Sequence, residues 1–182
     1  MQVSVLILPG WTNSGPDHWQ TIWERENPQY RRVHQDCWDR PKRREWITTI
    51  ARNVDDAPNP VVLVAHSLGC LAAAALASET TAATVARVAG AFLVAPADVE
   101  RESSAAPLRA WRPVPRDPLP FASLLIASRN DEYSSYERSI EFADAWGSRI
   151  VDLGNAGHIN AAAGYGVWPE GHAMLLEFIA GL

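Results

Sequence analysis

Two cysteines in 182 residues, Cys37 and Cys70, are too few for a disulfide framework or a zinc finger. Two free thiols in a reducing compartment are expected instead. Basic residues are outnumbered, with 16 Lys and Arg against 21 Asp and Glu for a net charge of −5. The basic footprint that nucleic-acid binding needs is therefore missing. Long apolar runs are missing too: Val3–Pro9, Val61–Ala65 and Leu71–Ala77 all fall short of the roughly 18 residues of a membrane span. The N-terminal run lacks a cationic leader and is too short for a secretory segment. With Met1 in place, a mature cytoplasmic protein that begins on a strand is expected. No G-x-G-x-x-G follows that strand and no G-x-x-x-x-G-K-[ST] occurs, which argues against dinucleotide and P-loop enzymes.

What is present reads as one globular domain over residues 1–182. Hydrophobic residues make up 47% and charged residues 20%, a balance that intrinsic disorder does not show. A chain of this size buries roughly 70% of its unfolded surface and needs no covalent staples. Apolar runs with strand character cover Val3–Leu8, Tyr30–His34, Val61–Ala65, Val88–Val94, Phe121–Ala127 and Arg149–Leu153. Helical periodicity covers Asp17–Glu26, Arg43–Val54, Leu68–Ser78, Ser135–Trp146 and His172–Ala180. Strands without polar alternation are buried on both faces, as in a parallel sheet covered by helices. The alternation of the two element types predicts an α/β fold with a mostly parallel six-stranded sheet and little or no lid. One stretch, Ala95–Pro120, is irregular and rich in proline, with a short helix expected near Glu102–Trp111.

The most informative segment is Val61-Val-Leu-Val-Ala65-His66-Ser67-Leu68-Gly69-Cys70. A strand, a sharp turn at a serine and a helix form the context of a nucleophile elbow. Gly69 supplies the small residue that the close strand–helix approach needs. Ala65 stands where the motif usually has glycine. The bland alternative makes Ser67 no more than the N-cap of the next helix.

A serine nucleophile needs a base. His158, in Gly157-His158-Ile159-Asn160, follows the last strand, and side chains at the carboxyl ends of α/β strands converge on one rim. His172 is the fallback base, His66 reads as structural, and His18 beside Asp17 lacks a second ligand set for a metal. The orienting acid should follow a strand and precede the histidine. Asp131 and Asp98 both do so; Asp131 is preferred because its strand adjoins the one leading to His158. Either aspartate also suits an N-cap. Oxyanion donors are expected from the backbone N–H of Leu68 and from that of Trp11, next to Gly10 in the loop after the first strand.

With those residues in place, the sequence resembles the YdeN-type small serine hydrolases of the α/β-hydrolase superfamily. The resemblance rests on Pro9-Gly10-Trp11, Asp17-His18-Trp19-Gln20, His66-Ser67-Leu68-Gly69, Asn130-Asp131, Gly157-His158-Ile159-Asn160 and Trp168-Pro169-Glu170-Gly171. It implies a lid-poor domain with Ser67 as nucleophile, Asp131 as acid and His158 as base, and esterase-like chemistry on a small acyl substrate without metal or cofactor. A non-catalytic binding module on the same scaffold is the competing function; the Ala65 departure favours it, and its surfaces would be the Trp-rich N-terminal helix and the proline-rich loop. Of the eight tryptophans, Trp11 and Trp168 are expected beside the site, with Gly10 and Trp168 shaping the substrate pocket. Trp111 is expected in a small cap, and Trp19, Trp23, Trp46 and Trp146 in the core.

Overall fold

The computed structural model describes residues 2–182; Met1 lies outside them. The strands are β1 (Ser4–Leu8), β2 (Tyr30–Arg32), β3 (Val61–His66), β4 (Val88–Val94), β5 (Ala122–Ala127) and β6 (Arg149–Asp152). They form one sheet in the order β2-β1-β3-β4-β5-β6, every pair parallel. The helices are α1 (Trp19–Glu26), α2 (Arg43–Asp55), α3 (Leu68–Glu79), α4 (Ala82–Val85), α5 (Tyr136–Trp146) and α6 (Pro169–Ala180). The predicted α/β architecture is what the structure has. The last helix begins three residues earlier than its periodicity suggested, because Pro169 sits at its first turn, where the missing N–H costs nothing. The four-residue α4 was not anticipated; it is held by Thr81, whose hydroxyl accepts the Thr84 N–H.

Two cores explain why the strands read as unbroken apolar runs. Successive side chains point to opposite faces. Leu6, Leu8, Leu63, Ala65, Leu93 and Leu125 pack against α2, α3 and α5. Val5, Ile7, Val62, Val64, Phe92 and Ile126 pack against Trp19, Trp23 and Leu175 of α1 and α6. Polar alternation would have put a polar group into one of these cores.

The chain leaves β1 toward β2 and returns to place β3 on the other side of β1. That reversal is a topological switch point, where the loops beyond two neighbouring strands diverge and leave a crevice. The loop after β1 and the turn after β3 both open onto it. α3 lies across this region and is buried along nine consecutive residues, Leu68 to Leu76. Its alanines and Gly69 allow that proximity. A Cβ at Gly69 would fall 2.2 Å from the Leu8 carbonyl oxygen and 3.0 Å from that of Pro9, so only glycine fits.

Candidate active site

Ser67 joins β3 to α3 with φ 55° and ψ −119°, a conformation that L residues rarely adopt and that costs about 1–3 kcal/mol where the surroundings impose it. They do: the Ser67 N–H donates to the Val94 carbonyl at 3.0 Å, and its own carbonyl accepts from Cys70 N–H at 3.1 Å. Ser67 occupies the N-cap position of α3, yet its side chain makes no capping hydrogen bond. The capping role therefore does not account for it. The hydroxyl faces a cleft of about 240 Å3 at the switch point.

His158 lines the same cleft. Its Nδ1 lies 2.8 and 3.0 Å from the two carboxylate oxygens of Asp131. The side chains of both residues are almost sealed from solvent, at 7% and 3% exposure. A carboxylate accepts only, so the network assigns the proton to Nδ1 and leaves the Nε2 lone pair as the basic site of the neutral ring. Among the described residues no hydrogen bond joins that nitrogen to Ser67; cleft and loop bring the two together without closing the contact. Asp131 Oδ1 also accepts the Tyr133 N–H at 2.8 Å, which fixes the carboxylate. The cap of α5 is Ser135, so Asp131 is not spent there. The alternative acid, Asp98, accepts from Glu100 N–H and pairs with Arg138, and among the described residues no hydrogen bond joins it to His158. The fallback base, His172, bonds the Tyr30 hydroxyl instead.

Gly10 sits against the serine: a Cβ there would lie 2.8 Å from Ser67 Cβ and 3.3 Å from Oγ. Trp11 follows it along the cleft wall. The Leu68 N–H opens α3, where no carbonyl one turn back is available to accept it. A hydroxyl, a carboxylate-paired imidazole and backbone donors around one opening are the groups that acyl transfer calls for.

The chain matches the family described as Serine hydrolase over residues 5–177. It is 36% identical to a YdeN-like hydrolase from Pectobacterium atrosepticum, with a TM-score of 0.85 over 97% of this chain and 90% of that one. The chain belongs to the serine hydrolase family, and to its YdeN type. The ydeN product of B. subtilis superposes with a TM-score of 0.77 at 19% identity, covering 99% of this chain and 100% of that one. Thermogutta terrifontis esterase 2, solved phosphonylated by cyclosarin, shares the fold at 16% identity, with a TM-score of 0.67 over 98% of this chain and 81% of that chain. No curated protein matches.

In this hydrolase the tryptophans mostly hold loops. Trp168 is not a pocket residue, contrary to expectation. It is 6% exposed and stacks against Trp23 at 5.8 Å and edge-on to Trp19 at 5.3 Å; Gly171 makes room for its ring. A bulky indole gains more by burial there than in an open cleft. Trp111 is likewise in the core, against Trp46, and not in a cap. The irregular segment reaches the cleft through Ala97 and Leu108, while Tyr133 covers the His158 ring at 4.5 Å.

Two further cleft residues of this hydrolase are His66, expected to be structural, and His18, expected to lack a metal-ligand set. His18 is the N-cap of α1, its Nδ1 accepting Gln20 N–H at 3.2 Å. The proton is thereby assigned to Nε2, which is buried without a partner. Burial, with the Arg32 cation and His158 adding to it, pushes the pKa of His18 down to about 3. His66 bonds the His158 carbonyl at 2.9 Å, and burial first, then the neighbouring imidazoles His158 and His18, hold its pKa well below the ordinary value. Both rings stay neutral at physiological pH. The sequence signal for each was its place within a quoted motif, Asp17-His18-Trp19-Gln20 or His66-Ser67-Leu68-Gly69. Cys70 is fully buried, and burial pushes its thiol pKa up, which leaves it inert. No helix among the described residues is long and apolar enough to cross a membrane.

Proposed function

We propose that this hydrolase cleaves small carboxylic esters through an acyl-enzyme, with Ser67 as nucleophile, His158 as base and Asp131 as its orienting acid. The observation that carries the reading is the convergence, at one small cleft, of a strained, uncapped serine and an imidazole whose far nitrogen is fixed by a buried carboxylate. The steps follow from that arrangement. His158 Nε2 takes the Ser67 proton as Oγ attacks the ester carbonyl carbon. The Leu68 and Trp11 N–H groups hold the oxyanion, and Asp131 stabilises the imidazolium. The proton passes to the departing alkoxide. Water, activated by the same nitrogen, then releases the acid and restores the serine. The mechanism uses no metal or cofactor.

A cleft of about 240 Å3 is below the usual range of about 300–1,000 Å3 for ligand pockets, which favours short acyl groups over lipids. The Thermogutta esterase of this fold is phosphonylated by cyclosarin, so a fluorophosphonate probe is the direct test. The wild-type protein is expected to label stoichiometrically and Ser67→Ala not at all. Equal labelling of the two refutes Ser67 as nucleophile. On p-nitrophenyl esters, turnover is expected to fall as the acyl chain lengthens beyond a few carbons; a preference for long chains refutes the assigned substrate class.

A further inference from the structure

The Asp17-His18-Trp19-Gln20 motif has no part in the chemistry above, and the turn that carries the base is under strain. Ile159, directly after His158, has φ +48°. A β-branched residue in that region is a conformational outlier that the surroundings must enforce. The two carbonyls of the turn show how. The His158 carbonyl accepts from His66 Nε2–H at 2.9 Å, the residue directly before the candidate nucleophile. The Ile159 carbonyl accepts from the indole N–H of Trp19 at 2.9 Å. Both donors are rings buried to 5% exposure or less, so each bond is shielded from competing water. Gln20, next on α1, has its amide nitrogen on the carbonyls of Leu8 at 3.2 Å and Val64 at 3.1 Å. The helix that holds the base turn is thus fastened to the two strands that deliver Gly10 and Ser67.

We propose that Trp19 and His66 are positioning residues: their ring N–H groups hold the His158–Ile159 turn in its strained form, and through it keep the imidazole aligned between Asp131 and Ser67. The proposal rests on the reading of His158 as base. Trp19 is outside the cleft lining, and His66 borders the cleft with its Nε2–H committed to the His158 carbonyl. Their effect reaches the reaction through the placement of one ring, where a displacement of about 1 Å is enough to cost on the order of 10²-fold in rate.

A matched control exists within the same aromatic cluster. Trp23, one helical turn along, is buried like Trp19 and donates its indole N–H to the Val167 carbonyl at 2.8 Å, away from the base turn. Trp19→Phe and Trp23→Phe each keep an aromatic ring and delete one buried N–H donor. The two variants are expected to lose similar thermal stability. Only Trp19→Phe is expected to lose kcat on a short p-nitrophenyl ester, by about tenfold to a hundredfold, with KM within about twofold of wild type. The downfield imidazole N–H resonance of the His158–Asp131 pair is expected to broaden or vanish in Trp19→Phe and persist in Trp23→Phe. Equal kcat in the two variants, or an unchanged resonance in Trp19→Phe, overturns the proposal. If Trp19→Phe does not fold, His66→Phe supplies the same comparison at the other carbonyl, read by the same resonance. Full activity of His158→Ala would instead sink the base assignment itself, while the resonance still reports whether the turn is held.

Discussion

Replacing Ser67 by glycine is expected to stabilise the protein while abolishing its activity. The serine is held at φ 55° by backbone hydrogen bonds to Val94 and Cys70, and its hydroxyl makes no capping bond that would be lost. Glycine removes the steric cost of that conformation, about 1–3 kcal/mol. Against this stands the extra freedom of glycine in the unfolded chain, about 0.4–1 kcal/mol. The net gain is about 1 kcal/mol, and for a chain of 182 residues that corresponds to a rise in Tm of about 2–4 °C. Ser67→Ala is the reference, because it deletes the hydroxyl and keeps the strain. Melting by calorimetry, with the calorimetric and van't Hoff enthalpies compared to establish two-state behaviour, separates the two variants. If Ser67→Gly melts at or below Ser67→Ala, the turn is not strained and the reading of Ser67 as a strained candidate nucleophile fails.

Gly10→Ala is expected to lower kcat/KM by about 10²-fold or more, since its Cβ would lie 2.8 Å from Ser67 Cβ and the loop carrying the Trp11 donor must shift; near-normal ester turnover would remove this loop from the reacting centre. Asp131→Asn is expected to reduce kcat by about 10⁴-fold, as an amide favours the wrong imidazole tautomer, with the fold retained by circular dichroism; a loss under tenfold would deny Asp131 its role. Acid stability follows from the two neutral histidines. Their pKa values in the folded state, about 3 for His18 and well below ordinary for His66, lie under the unfolded value near 6.5. The unfolded chain therefore binds the extra protons, and the stability present above pH 6.5 is lost as pH falls. Denaturant titrations between pH 6.5 and 5 should approach a slope of about 1.4 kcal/mol per pH unit for each histidine, and His18→Gln should remove one share. A flat dependence would mean that these rings are solvated.

Much of the fold was legible because each central strand must satisfy two cores at once, which writes an uninterrupted apolar run into Val61–Ala65 and Val88–Val94. The strained turn at Ser67 between β3 and α3 was legible because strand, serine and small residue are contiguous. His158 and Asp131 could be brought together because α/β strands deliver their following loops to a common rim; chain order left Asp98 open as well, and the adjacency of the strand before Asp131 to the one leading to His158 favoured Asp131. Trp168 could not: before Pro169 in a loop, an indole reads the same whether it faces a cleft or, as here, three aromatic neighbours. For His18 and His66 the partners were not readable, for a related reason. Their importance lies in which carbonyl or amide a ring nitrogen meets, and those partners stand 92 residues away for His66. The strain at Ile159 was hidden because nothing about isoleucine announces a positive φ.

The contact of Gly69 with the Leu8 carbonyl has an implication for how this enzyme can diversify. With no atom to spare between α3 and the end of β1, the serine and the loop carrying Gly10 and Trp11 form one mechanical unit that tolerates no independent adjustment. Leu108, by contrast, reaches the opening from the irregular segment between β4 and β5. On the proposed function, new substrate preferences can arise by changing the side chain at that position while the candidate reacting groups keep their spacing.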